Sequence, residues 1–362
     1  MADYGVNWTK IRERHSAFWQ GCLEGPCLFS VTAPRDGANY RHFPYPDDHE
    51  ARLKWWTDPN QVIERHLDGF KCTYFAGDAF PLINHNLGPA GHAGFFKGAK
   101  PRISDSFWYE PNLEDYCQLE FDPSSLLYRK TVENAKVYAS AAKGEYMVGM
   151  PDMVGAADAL SHLRGPVRFM QDLFDQPDAV QEALKKVQAV WEQTVSQVWE
   201  AVKENNNGGS CVGWLMTWAP GLHMQLQCDC SVMLSAEMFE KFLCYELEAQ
   251  AKYVEYALYH LDGEEQIRHL PHLLDIKEIR AIQWTNVAGQ PRATAFIPEL
   301  QEIQRAGKGL ILDCTAEEIP ALLESLDAGK LYLMTRAKSQ AEADYLVGLV
   351  GELSVYSKSS SQ

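Results

Sequence analysis

The sequence predicts an α/β protein of the (β/α)₈ TIM-barrel class, folded as a single domain over residues 1–362 with excursions in its N-terminal half. Three observations carry that expectation. Short apolar runs alternate with amphipathic stretches from about residue 256 onward, and strands alternating with helices pair in parallel through crossover connections. Eight strand candidates can be counted, near residues 27–33, 72–77, 146–150, 212–218, 256–260, 280–284, 309–313 and 330–334. A chain of 362 residues is also long for one domain unless it builds a barrel. A doubly wound open sheet is the other way to arrange such units. No strand candidate, however, is followed by the glycine-rich fingerprint of the nucleotide-binding versions of that fold.

Composition narrows the class of partner. The net charge is -16, from 33 basic and 49 acidic residues. No stripe of Lys and Arg marks a phosphate-binding footprint, so nucleic acid and anionic membrane are not expected partners. No apolar run approaches membrane-spanning length, and Met1-Ala-Asp-Tyr-Gly5 lacks the basic and apolar regions of a secretory signal. The nine cysteines are scattered without CxxC spacing, which fits reduced thiols in a cytoplasmic protein.

The elements follow in order. Asn7–Gln20 reads as an amphipathic helix with Trp8, Ile11, His15 and Trp19 on one side, stopped by Gly25-Pro26. Cys27–Pro34 is the first strand, followed by Arg35. Residues 36–60 read as loop and short helix, and Pro59–Leu67 as helix. Residues 71–98 hold many glycines among Asp78, Asn84, His85 and His92, and are expected to cover the substrate. A β-ribbon is expected within Asp105–Tyr116. Asp122–Ala142 is a helix of the outer ring, and Glu145–Met153 a strand ending in Pro151-Asp152. The clearest helix opens at Pro177-Asp178, with Val180, Leu184, Val187, Trp191, Val195, Val198 and Val202 at spacings of three and four. Cys211–Trp218 is the next strand, and the polar stretch Ala219–Ser231 reads as irregular. Helix and strand then alternate to the helix Ser339–Leu353.

The candidate site is centred on Tyr256-Ala-Leu-Tyr-His-Leu-Asp-Gly263. An apolar run ending in polar residues and a glycine delivers side chains to a barrel mouth. His260 and Asp262 are two apart and point to one side of an extended chain. Such a pair suits acid–base work, metal ligation or a substrate clamp. Asp152 and Asp229 stand after other strands as further acids, although each also suits a helix cap. Arg35, Asp78, Trp218, Trp284, Gln290 and Arg336 are expected to line the pocket. A mixture of N, O and S donors could hold zinc through His260, Asp262 and Cys314, with Cys228 or Cys230 as a further ligand, although Cys228-Asp229-Cys230 also reads as a loop with two incidental thiols. Cys314 as a small buried hydrophobe is the plainer alternative.

Leu234-Ser-Ala-Glu-Met-Phe-Glu-Lys-Phe242, His260-Leu-Asp-Gly263 and Ala281-Ile-Gln-Trp284 resemble motifs of the uroporphyrinogen decarboxylase superfamily. The resemblance covers the chain from about Trp214, while the N-terminal half matches in layout. The closer likeness is to corrinoid-linked methyltransferase-like members, including the trimethylamine-corrinoid type. It implies an enzyme that moves a methyl group between a small methylated compound and a corrinoid carried on a partner protein. Zinc-dependent members place His-x-Cys at this strand end and a further Cys after the last strand. Here Asp262 and Thr335-Arg336 occupy the two cysteine positions. The same likeness admits a decarboxylase-like lyase, although only Arg35 lies near the decarboxylases' arginine-rich motif. A carboxylate-pair hydrolase, or a non-catalytic small-molecule binding protein on the same scaffold, are the other possibilities.

Overall fold

A computed structural model describes residues 4–359. Thirteen strands form among the described residues. They are β1 (Leu28–Pro34), β2 (Thr73–Gly77), β3 (Leu82–Ile83), β4 (Lys100–Ile103), β5 (Phe107–Glu110), β6 (Met147–Met150), β7 (Ser210–Val212), β8 (Thr217–Ala219), β9 (His223–Leu226), β10 (Tyr256–Leu261), β11 (Ile279–Trp284), β12 (Gly309–Asp313) and β13 (Leu331–Arg336). Seven of them make a sheet in the order β2-β1-β13-β12-β11-β10-β9. All its neighbours run parallel except β2, which is antiparallel to β1. A second sheet has the order β3-β6-β7-β8, with β8 antiparallel to β7. The architecture is mixed α/β with parallel strands at its centre.

The two sheets are not hydrogen-bonded strand to strand into one closed ring. They meet through side chains and turns. The hydroxyl of Ser210 on β7 accepts from His223 N at 2.6 Å and donates to Gly221 O at 2.9 Å. At the other junction the chain itself passes from β2 to β3, with Asp78 N donating to Phe29 O on the first sheet's side and Met147 N to Pro81 O on the second's.

Four expectations need correction. The strand expected near 72–77 forms, but antiparallel to β1, and β3 supplies the parallel neighbour of β6. The strand expected over 212–218 is two strands, because Met216 takes a left-handed backbone (φ 48°) and reverses the chain between β7 and β8. The stretch 219–231, expected to be irregular, contains β9. The ribbon β4–β5 lies slightly earlier than expected.

Alternation along the strands sorts side chains to two faces. Leu28, Leu258, Ala281, Ile311 and Tyr332 share one face and pack with Phe18 and Trp19 of the first helix, Trp8–Trp19. Gly309 on that face leaves room for the ring, since a Cβ there would stand 2.7 Å from Phe18 Cζ. Phe29, Val31, Tyr259, Leu261, Ile282, Trp284, Leu310 and Leu312 point the other way, into the larger core beneath the helices. The first helix is fastened by Arg14, whose Nε lies 2.7 Å from Asp78 Oδ1, and by Trp19 Nε1, which donates to Trp218 O at 2.8 Å. No helix among the described residues is long and apolar enough to cross a membrane.

Candidate active site

Toward the carboxyl ends of the parallel strands, the first face turns polar. Ser30 and Thr32 of β1, His260 of β10, Gln283 of β11, Asp313 of β12, and Met334 and Arg336 of β13 line a cavity of about 360 Å³, with Trp214, Thr285 and Asn286. A larger cavity of about 640 Å³ shares Thr32, Met216 and Arg336 with it.

His260 is fixed by a short hydrogen-bond relay. Its Nδ1 lies 2.5 Å from Gln283 Oε1 and 3.1 Å from Thr285 Oγ1. Gln283 Nε2 donates to Thr285 Oγ1 at 3.2 Å, which turns the amide oxygen toward the imidazole. Nδ1 therefore carries the proton, and the lone pair of the neutral ring sits on Nε2. Trp214 meets the ring edge to face, with centroids 5.1 Å apart at 88°.

Acids gather beside this histidine. Asp152 Oδ1 accepts from Gln225 Nε2 at 3.0 Å, and both oxygens of Asp229 accept from Gln227 Nε2 at 3.3 and 3.2 Å. Burial pushes the Asp152 carboxyl up to about 6, reinforced by the charge of Asp229 and opposed by that of His260. Asp229 is likewise raised, chiefly by burial and then by Asp262, with His260 again opposing. Imidazole and carboxyls thus feel one another, and one carboxyl is poised near neutrality. That combination suits proton transfer and the holding of a polar or cationic group. Asn84 Oδ1, Trp214 Nε1 and Gln225 Oε1 are buried without a hydrogen-bond partner. Groups left this way are suited to a bound molecule.

The remaining predicted residues divide sharply. Asp262 joins the acid cluster, while its backbone N–H is held by Gln266 Oε1 at 3.0 Å. Arg336 lines both cavities. Gln290 sits behind the site, accepting from Glu264 N at 2.9 Å and packing where Gly263, at φ 77°, has no Cβ. Asp78 is not in the cavity: it is buried in the ion pair with Arg14 and also accepts from Phe29 N at 2.9 Å. Arg35 donates to Thr73 O and Tyr4 O and ties loops together. Trp218 is buried beside Phe80 and Ile11, its Nε1 donating to Asn206 O at 3.0 Å. Trp284 is on the outer face, 5.0 Å from Phe296. Trp214 is the aromatic wall instead, a consequence of the reversal at Met216.

His260, Asp262 and Cys314 do not assemble as metal ligands. Cys314 directs its side chain into the outer core, whereas His260 lines the cavity, and burial raises the thiol strongly. The donors expected for zinc therefore do not fit the geometry. Among the described residues the one metal-competent cluster is Asp158, Cys228 and Cys230.

Sequence reasoning also missed Gln225, Gln283 and Thr285. The signal was present as a two-residue alternation. His223, Gln225 and Gln227 alternate with Met224 and Leu226, and Gln283 and Thr285 flank Trp284. The segment 71–98, expected to cover a substrate, instead contains β2, β3 and the turn Gly91–Phe95, and its residues 79–96 are mostly buried.

No family model and no curated protein matches the sequence. Among solved structures the fold is similar to that of a methyltransferase from Methanosarcina mazei. The TM-score is 0.60 with 14% identity, over 97% of this chain and 98% of that one. At that identity the likeness establishes a common fold, and chemistry must come from the site.

Proposed function

We propose that this chain is a methyltransferase-like enzyme of the uroporphyrinogen decarboxylase superfamily, moving a methyl group between a small methylated compound and a corrinoid on a partner protein. On this proposal the two sheets wrap as one domain into a (β/α)₈ barrel whose open end presents the His260 cavity. The observation that carries it is His260, held by Gln283 and Thr285 in the cavity at the strand ends, with the buried Asp152 and Asp229 close enough to feel its charge. The full-length similarity in fold to a methyltransferase, and the His-Leu-Asp-Gly motif at the end of β10, support it.

In this scheme the substrate enters past Arg336 and lies against Trp214. Nε2 of His260 accepts a hydrogen bond from, or takes a proton off, the substrate's heteroatom. Asp152, protonated below about pH 6, gives a proton to a departing group. Asp229 and Asp262 provide negative charge that favours a substrate cation, and the face of Trp214 adds cation–π attraction. The corrinoid, bound to its carrier, would accept or supply the methyl group.

The test is to incubate the protein with a reduced corrinoid carrier and a panel of methylated amines, ethers and thioethers while following the cobalamin spectrum. Wild-type protein should transfer methyl with at least one of them. His260→Ala should lower the rate by about 10²–10⁴-fold, the usual worth of a positioned acid–base group, with the fold unchanged by circular dichroism. Full activity in His260→Ala, or no transfer by wild type across the panel, rejects the proposal.

One observation favours a second reading, a carboxylate-pair lyase or hydrolase. Asp152 is raised chiefly by burial and further by the charge of Asp229, a contribution that paired-acid sites also use. Turnover of a carboxylated or glycosidic substrate without any corrinoid would identify it.

A further inference from the structure

We propose that Asp158, Cys228 and Cys230 form a binding site for a thiophilic divalent cation, zinc above all, separate from the His260 cavity and independent of the function proposed above. The three residues are fully buried, and one ligand atom from each lies within 4.8 Å of the other two. The two sulfurs are 3.6 Å apart. Two thiolates at ~2.3 Å from one zinc, at a tetrahedral angle, stand about 3.8 Å apart, so the pair needs almost no movement to close on an ion.

The surroundings hold the donors in place. Asp158 belongs to the helix Ala156–Arg164, and its two carboxylate oxygens accept from Asp229 N at 2.8 Å and Cys230 N at 2.7 Å. Each oxygen keeps a lone pair for a cation. Cys228 is fixed through its carbonyl, which accepts from Gln266 Nε2 at 2.9 Å. The helix carrying Asp158 is capped by a second buried carboxylate, Glu246, which accepts from the amides of Ala156 and Ala157.

Charge makes the same point. Two carboxylates and two thiols are buried together here, and Glu246 acts electrostatically on both cysteines. None of the ion pairs among the described residues includes Asp158 or Glu246. A buried acidic group must find a proton or a cation. A divalent ion satisfies this cluster, and its coordination displaces the two thiol protons to solvent. Two sulfurs and an oxygen are a donor set that suits zinc.

Asp229 lies between the two cysteines in the chain. The ion therefore locks the turn that presents Asp229 to His260.

The full-length protein, stripped with a chelator, is titrated with Co²⁺ and with Zn²⁺. One equivalent of Co²⁺ should bind with a near-ultraviolet thiolate-to-cobalt band, and zinc should displace it and raise the Tm. The band should vanish in Cys228→Ser and in Cys230→Ser and survive in Cys314→Ser and in His260→Ala. X-ray absorption on zinc-loaded wild type should count two sulfurs per zinc, a readout that no misfolded variant can distort. A band that outlasts both Cys228→Ser and Cys230→Ser, a band lost in Cys314→Ser, a sulfur-free zinc shell, or a Cys228–Cys230 disulfide in freshly purified protein each overturns the proposal.

Discussion

At the scale of single residues, Asp152 carries the sharpest tension between stability and chemistry. Its carboxyl is raised to about 6 from a reference of 3.8. A raised acid stabilises the folded state below its unfolded value and loses that contribution as pH rises through about 6. By linkage the ionised form costs up to about 3 kcal/mol. Asp152→Asn keeps an oxygen for Gln225 and removes the charge. It should therefore raise stability at pH 8 by about 1–3 kcal/mol while abolishing turnover. Urea unfolding of both proteins at pH 8 and pH 4 checks this, with the difference disappearing at the lower pH. Equal stability at pH 8 would mean that the carboxylate is well solvated.

At the scale of elements, the first helix is the piece on which the lower part of the sheet depends. Arg14 and Asp78 pair with side-chain exposures of 17% and 6%, and the same carboxylate holds Phe29 N of β1. Removing one member of a nearly buried pair leaves the other uncompensated. Asp78→Ala should cost about 3–5 kcal/mol by that reasoning, read as a fall in the denaturant midpoint, with ligand affinity at the His260 cavity retained. Elements were legible where a strand's core face is plainly apolar: β10 to β13 fall almost where periodicity puts them. Direction was not legible. Nothing in the propensities of residues 72–77 says that β2 runs against β1, because pairing sense is set by the turn that follows. The reversal at Met216 was hidden for a related reason, since a non-glycine residue at positive φ leaves no mark in the sequence. β9 was overlooked because its site-facing residues are His and Gln. An alternation of polar and apolar residues between Pro220-Gly221 and Cys228-Asp229-Cys230 resembles a loop until a polar cavity is known to face it.

For the whole molecule, pH acts through two opposed sets of buried groups. Burial lowers His15, His85 and His223 to about 4 and His92 to about 3. A lowered histidine contributes stability above its unfolded value, near 6.5, and loses it as pH falls toward the folded one. Burial raises Asp152 to about 6 and Glu246 to about 7, and raises Asp158 and Asp229 as well. These acids contribute in the opposite direction, gaining as pH falls. The slopes largely cancel between pH 5 and 6.5, so stability there should vary by no more than about 2 kcal/mol. Asp172 and Glu318, held below the usual carboxylate range by Arg164 and Arg292 despite partial burial, contribute stability that is lost as pH falls through their folded values, so unfolding should become steeper below about pH 4. A series of urea midpoints from pH 3.5 to 7.5 tests the shape, and a uniform slope throughout would contradict it. At this scale the sequence was informative about the α/β class and the position of His260. It was silent on which tryptophan walls the cavity, because that depends on a chain reversal.

The indole of Trp214 standing edge-on to His260 also gives the molecule its own optical gauge. A protonated imidazole quenches a neighbouring indole's emission, and a neutral one does so weakly. The fluorescence difference between wild type and Trp214→Phe, followed through a titration, should therefore report when that ring acquires charge. The same signal should move again when a ligand slides between the two rings, so occupancy can be watched without any label.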